Sequence, residues 1–118
     1  MKIGELAKRT GLSVHTIRYY EQIGLLPEAD RDNSGHRNYD ASILIWIEFL
    51  ERLKSTEMPI RTMLEYAELR KTGLGTEIKR CKILEYHRKK IRTNITELQT
   101  SLQILDAKIA YYQNSKKG

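Results

Sequence analysis

Among its 118 residues the chain has one cysteine, two prolines, one tryptophan and one phenylalanine, and these shortages narrow what it can be. The single Cys81 excludes an intrachain disulfide. The three histidines (His15, His36, His87) are scattered, and there is no second Cys and no HExxH or CxxC spacing, so no metal site is expected. No Gly-rich phosphate loop is present, and the acidic residues are accounted for as surface charge. Neither a cofactor nor an enzyme is expected. No apolar run approaches the roughly 18 residues of a membrane helix, and Met1-Lys2-Ile3-Gly4-Glu5 lacks a basic-then-apolar leader pattern. The reading is a cytoplasmic protein with no membrane partner.

Charge of one sign is also missing where it would be most telling. The net charge is +6, yet residues 1–40 hold six Lys/Arg against six Asp/Glu, and residues 41–71 hold five of each. Residues 72–118 carry ten against four, so the whole excess lies there. Bulk charge therefore gives the N-terminal part no attraction for nucleic acid; only the placement of particular cations can.

What is present is helical punctuation. Residues 3–10 put Ile3, Leu6 and Ala7 on one face, and Gly11 is placed to end that helix in a left-handed turn. Ser13 suits the N-cap of a second helix, about 14–22, which ends at Gly24. That helix buries Val14, Ile17 and part of Tyr20 and turns His15, Thr16, Arg18 and Tyr19 outward. Two short helices with a tight Gly turn make a helix-turn-helix over 3–24. Pro27 stops the helix, and residues 28–39 read as a hairpin, or wing, turning at Asn33-Ser34-Gly35. Its returning strand, His36-Arg37-Asn38-Tyr39, sets Arg37 and Tyr39 on the same face. Asp40 caps a third helix, 41–55, with an apolar stripe of Ile43, Trp46, Ile47, Leu50 and Leu53. Pro59 suits the first turn of a fourth, 59–71. Residues 1–74 form one domain on this reading.

The last helix, 76–112, differs in kind. Leu84, Ile91, Leu98, Leu105 and Tyr112 recur every seven residues, interleaved with Cys81, Arg88, Ile95, Leu102 and Ile109. Sustained 3-4 spacing over about five heptads is a coiled-coil seam, some 55 Å long at roughly 1.5 Å per residue. A narrow seam needs a partner helix, and the same helix of a second chain is the natural one. The seam residues are Leu84, Ile91, Ile95, Leu98, Leu102, Leu105, Ile109 and Tyr112. Heptads alone do not choose parallel or antiparallel pairing. Residues 113–118 are a polar tail.

Several side chains suit DNA. Arg18 offers a donor fork to a guanine edge or a phosphate, and Tyr19 a hydroxyl on a stiff arm. Thr16 stands on the same outward face, and His15 and His36 are further possible contacts. Tyr20 lies on the Val14–Ile17 side, where packing competes with contact. Arg37 and Tyr39 can brace flanking phosphates. Arg61, in the first turn of the fourth helix, can clamp a phosphate there or simply stand in solvent. The basic run from Lys79 to Arg92 reads as a solvated face or as long-range attraction to DNA. Cys81 is either a packing residue or a thiol sensor sharpened by Lys79, Arg80 and Lys82.

IGELAKRTGLSVHTIRYYEQIGLL, then GHRNYD, MPI and a long terminal helix, together resemble the mercury-resistance-regulator (MerR) family of bacterial transcription factors over essentially the whole chain. The resemblance implies a mainly α fold: a winged helix-turn-helix head followed by a long helix that forms an antiparallel coiled-coil homodimer. It implies binding to a pseudo-palindromic operator within a promoter spacer. The protein would distort that DNA so that RNA polymerase engages, a partner reached indirectly through the DNA. By the family pattern Arg18, Tyr19, Tyr20, Arg37, Tyr39 and Arg61 would touch DNA. The chain resembles a short form without a separate effector domain. Metal-responsive members carry a Cys near the start of the coil and more after it, whereas Cys81 lies about two turns in. Aldehyde-responsive members carry a Cys on helix three, where Glu51-Arg52-Leu53 stands here. The usual Gly between helices three and four is Glu57. The signal stays open. A DNA-architectural or recombination accessory protein built on the same head is the competing reading.

Overall fold

The structure, a computed structural model, describes residues 1–115. The order is α1 (Ile3–Thr10), α2 (Val14–Ile23), β1 (Asp30–Arg31), β2 (Arg37–Asn38), α3 (Ser42–Ser55), α4 (Ile60–Thr72) and α5 (Glu77–Ser115). This is the expected mainly helical chain with a small hairpin and a long last helix. It divides into two compact units, residues 1–83 and residues from 84 onward. Among the described residues no helix is long and apolar enough to cross a membrane.

In the first unit the local signals act as the sequence implies. Gly11, at φ 75°, ends α1 with its N–H on the Ala7 carbonyl at 2.9 Å. The Ser13 hydroxyl accepts the Thr16 N–H at 3.0 Å and so caps α2. α1 packs on α2 and α3, and α3 on α4. Leu6, Ile17 and Leu50 are fully enclosed where these helices meet. Each such side chain contributes roughly 1.5–3 kcal/mol through burial. Leu25 and Leu26, just past α2, are also buried, and the Trp46 indole N–H donates to the Leu25 carbonyl at 2.8 Å. The Trp46 ring stacks on Tyr66 of α4 at 5.9 Å, and the Arg70 guanidinium lies 4.3 Å from its centre. That sandwich ties the turn after α2 to both later helices.

The hairpin is shorter than the expected wing. Its two strands pair Asp30 with Asn38 and Arg31 with Arg37. Asp32 builds the turn: its Oδ1 accepts the Ser34 and His36 N–H groups, each at 2.9 Å, and its carbonyl accepts the Gly35 N–H. Tyr39 lies beyond β2, its N–H bonded to the Met1 carbonyl at 2.7 Å, and Lys2 pairs with Asp32. The start of the chain thus buttresses the hairpin.

Two helix ends depart from expectation. Pro59 precedes α4 as its N-cap, at ψ 144°, because a residue with extended ψ stands outside the helix; its carbonyl accepts the Met63 N–H at 3.0 Å. At the end of α3, Glu57 has φ 67°. Its N–H reaches the Lys54 carbonyl at 3.0 Å, and the Met58 N–H reaches that of Leu53 at 2.9 Å. This is a Schellman closure with Glu at the left-handed position usually given to Gly. Met58 and Leu53, both buried, complete it.

Thr76 precedes α5, its buried hydroxyl donating to the Gly73 carbonyl at 2.6 Å and accepting from Arg80 Nε at 2.9 Å. Cys81, expected to pack in the seam, is exposed.

The second unit is the remainder of α5. Helix continues to Ser115, past the expected limit at 112, so the tail expected over 113–118 begins as helix; residues 116–118 lie outside the described residues. Leu84 and Ile91 are half-buried. From Ile95 on, the seam stands open: Leu98 is 69% exposed, and Leu102, Leu105, Ile109 and Tyr112 are each more than half exposed. His87 is buried, and its burial, with Lys90 nearby, holds its imidazole pKa below the ordinary value.

Candidate nucleic-acid interface

The outward face of α2 carries His15, Arg18 and Tyr19, all exposed, and the half-buried Thr16. The Thr16 hydroxyl lies 2.9 Å from that of Ser13, so it belongs partly to the cap. Tyr19 is half exposed, its ring 6.3 Å from that of Tyr20. Arg18 projects into an open groove of about 850 Å³ that Glu21, Arg37, Trp46, Arg70 and Lys71 also line. Arg18 and Arg37, read separately along the chain, are brought to one concavity. His36 is exposed at the hairpin turn. Arg61 is exposed in the first turn of α4 and is not among the residues of that groove.

Two tyrosines sit differently from the expectation of outward contacts. Tyr20 is buried: its hydroxyl donates to Glu51 Oε1 at 3.3 Å and accepts from Lys54 Nζ at 3.1 Å. That bond to the phenol raises the Lys54 pKa. Of the two roles weighed for Tyr20, packing is the one its burial serves. Tyr39 shares a face with Arg37, as the strand period requires, but the face is the inner one. The residue is 4% exposed and its hydroxyl donates to Glu21 Oε2 at 2.9 Å. Burial first, then the Glu21 carboxylate, push the Tyr39 pKa up to about 12, while Arg37 and Arg18 pull the other way. An anionic phenolate is disfavoured in a dry site beside a carboxylate.

The residue missed in the sequence is Glu21. Its side chain is 6% exposed and gathers three partners: it accepts the Ala29 N–H at 2.8 Å and the Tyr39 hydroxyl, and it forms an ion pair with Arg37, whose Nε lies 3.3 Å from Oε2. A signal existed. Glu21 lies four residues after the buried Ile17, on the same helical face, and a carboxylate on a core-facing position requires partners.

This head matches known proteins. The family model for MerR family regulatory protein matches residues 2–39. An uncharacterised HTH-type transcriptional regulator of Haemophilus influenzae is 34% identical over 110 residues, spanning 93% of this chain and 82% of that protein. The HTH-type transcriptional regulator AdhR of Bacillus subtilis is 37% identical over 91 residues, 77% of this chain and 65% of its own. Among solved structures, HiNmlR, a MerR family regulator lacking the sensor domain and bound to promoter DNA, is 33% identical. It aligns with a TM-score of 0.84 over 98% of this chain and 91% of its own. The family model falls on the helix-turn-helix and hairpin, and the Haemophilus influenzae relative and HiNmlR extend the likeness over more than nine-tenths of this chain: the chain belongs to the MerR family of transcriptional regulators.

Proposed function

We propose that this chain works as a homodimer that binds a promoter operator of two half-sites and distorts the DNA between them. α2 of each copy would enter a major groove with Arg18, Tyr19 and Thr16. Arg37 and Arg61 would hold phosphates on either side, and the tyrosines Tyr20 and Tyr39 would act mainly by fixing α2 and the hairpin. The observation that carries the reading is the shared groove of Arg18 and Arg37, which lets one cation read while another positions. The likeness to HiNmlR, a structure bound to promoter DNA, supports it.

The open stripe from Ile95 to Tyr112 supports the dimer, since single exposed apolar residues are ordinary but a continuous seam is not. Charge favours antiparallel pairing. Arg88, Lys89, Lys90 and Arg92 crowd one end of the seam, and parallel chains would set two such clusters side by side. Antiparallel chains in full overlap set each cluster against the uncharged Ser101–Leu105 segment of the other copy. Leu84 then meets the partner's Ile109, Ile91 the partner's Leu102, and Ile95 the partner's Leu98. A rigid spacing between two heads is what distortion of the central base pairs demands. RNA polymerase would respond through the altered promoter.

The test is titration of the dimer with its promoter duplex by fluorescence anisotropy, with hydroxyl-radical footprinting. Two half-sites separated by a protected spacer between promoter elements are expected, with at least tenfold weaker binding by Arg18→Ala. Unchanged binding by Arg18→Ala together with Arg37→Ala would overturn the site; a footprint at a recombination junction would favour the architectural role instead.

A further inference from the structure

Resting on that reading of the interface, we infer that Glu21 is a positioning residue for DNA binding: its buried carboxylate locks the hairpin onto α2 and aims Arg37 into the groove it shares with Arg18. The three partners of Glu21, two hydrogen-bond donors and one ion-paired cation, come from before β1 (Ala29), just after β2 (Tyr39) and within β2 (Arg37), so one carboxylate holds both ends of the hairpin. Glu21 stands one turn from Arg18 on the same helix. The separation of Arg18 and Arg37 is therefore set by a three-residue helical offset plus one ion pair, and not by the conformation of a loose loop.

A carboxylate beside a phosphate-binding surface would ordinarily work against affinity. Here its charge is spent inward. Arg37 Nε is buried, outside hydrogen-bonding geometry, with the Glu21 Oε2 atom 3.3 Å away as its ionic contact. The Arg37 side chain as a whole is 33% exposed and lines the groove, while its Nε is buried against Glu21. Holding a guanidinium in one rotamer removes the ordering cost that a free Arg would meet on binding phosphate. A bulky apolar residue at position 21 could anchor a hairpin, but it could not orient a cation. The retained charge is what distinguishes an aiming role from plain packing.

The experiment uses full-length Glu21→Gln, Arg37→Ala and the double variant, each checked for helix content, with duplex affinity measured across a salt series. Glu21→Gln keeps an oxygen for one donor and removes the charge. It is expected to weaken operator binding about five- to tenfold and to lower the salt slope by about one phosphate contact. In the double variant the loss should equal that of Arg37→Ala alone. Glu21→Asp, which keeps the charge and shortens its reach, provides a second reading if Glu21→Gln does not fold, with an intermediate loss expected. Wild-type affinity and slope in whichever variant folds would overturn the inference while Arg37→Ala still weakens binding. Additive losses in the double variant would overturn it too, because Glu21 would then act other than through Arg37. If Arg37→Ala itself binds normally, the proposed interface falls with it.

Discussion

Tyr39 and Glu21, 18 residues apart, are joined by a 2.9 Å hydrogen bond from the phenol hydroxyl to Oε2, and that bond closes the hairpin onto the second helix. Both groups are nearly free of solvent. The pair makes the hairpin part of the core's hydrogen-bond network and gives it a pH signature.

The Tyr39 hydroxyl titrates near 12 in the folded chain, against about 10 when unfolded. Below pH 10 both states keep the proton and the bond is fully present. Between pH 10 and 12 the unfolded chain releases its proton while the folded chain retains it, so stability falls as pH rises. The wild type should lose up to about 2.5 kcal/mol more than Tyr39→Phe across that window. Urea unfolding at pH 9, 10.5 and 11.5 measures it. Parallel decline of the two proteins would contradict the assignment.

Glu57 occupies a left-handed backbone at φ 67° in the closure of α3. Glu57→Gly should raise stability by about 0.5–1 kcal/mol, because glycine meets no Cβ penalty there but loses more entropy on folding. Glu57→Ala should stay within about 0.5 kcal/mol of wild type, since it keeps the Cβ. A lower melting midpoint for Glu57→Gly would mean that the Glu side chain itself contributes to the turn.

Trp46 donates its indole N–H to the Leu25 carbonyl inside the core. Trp46→Phe keeps most of the stacking on Tyr66 and strands that carbonyl, so a loss of about 1–3 kcal/mol is expected. Chemical denaturation followed by far-UV circular dichroism is the measurement. A loss well under this range would show that water reaches the Leu25 carbonyl.

Seam orientation is open to direct chemistry. In a Cys81→Ser background, chains carrying Leu84→Cys mixed with chains carrying Ile109→Cys should cross-link to each other on oxidation. Each alone should cross-link poorly, since a disulfide needs Cα atoms within about 7 Å. Efficient cross-linking of Leu84→Cys to itself would indicate parallel chains. Leu98→Lys, at the middle of the seam, should shift the protein toward monomer in sedimentation velocity.

Much of this architecture is legible along the chain because its signals are local. Gly11, Ser13 and Gly24 delimit two helices whatever surrounds them, since cap and left-handed turn chemistry depend on a few neighbouring residues. The stripe from Leu84 to Tyr112 is equally plain, a period that needs no tertiary context. Arg18 and Tyr19 are exposed, as the Val14–Ile17 face of their helix implies. Reading failed where long-range contact decided. The two-residue period pairs Arg37 with Tyr39 on one face but cannot say which face meets solvent. Glu21 reads as one more surface charge until the hairpin folds over it.

The sequence by itself determined the order of the helices, the turn between the first two and the apolar seam of the last, because each depends on backbone propensity and spacing within a few residues. Only the tertiary structure decided that Tyr20 and Tyr39 turn inward, that Glu57 bears a left-handed backbone, and that Arg18 and Arg37 share a groove. The physical reason is the same in each case. A buried hydroxyl or carboxylate is stable only where distant donors and acceptors converge on it, and that convergence exists only once the chain has closed.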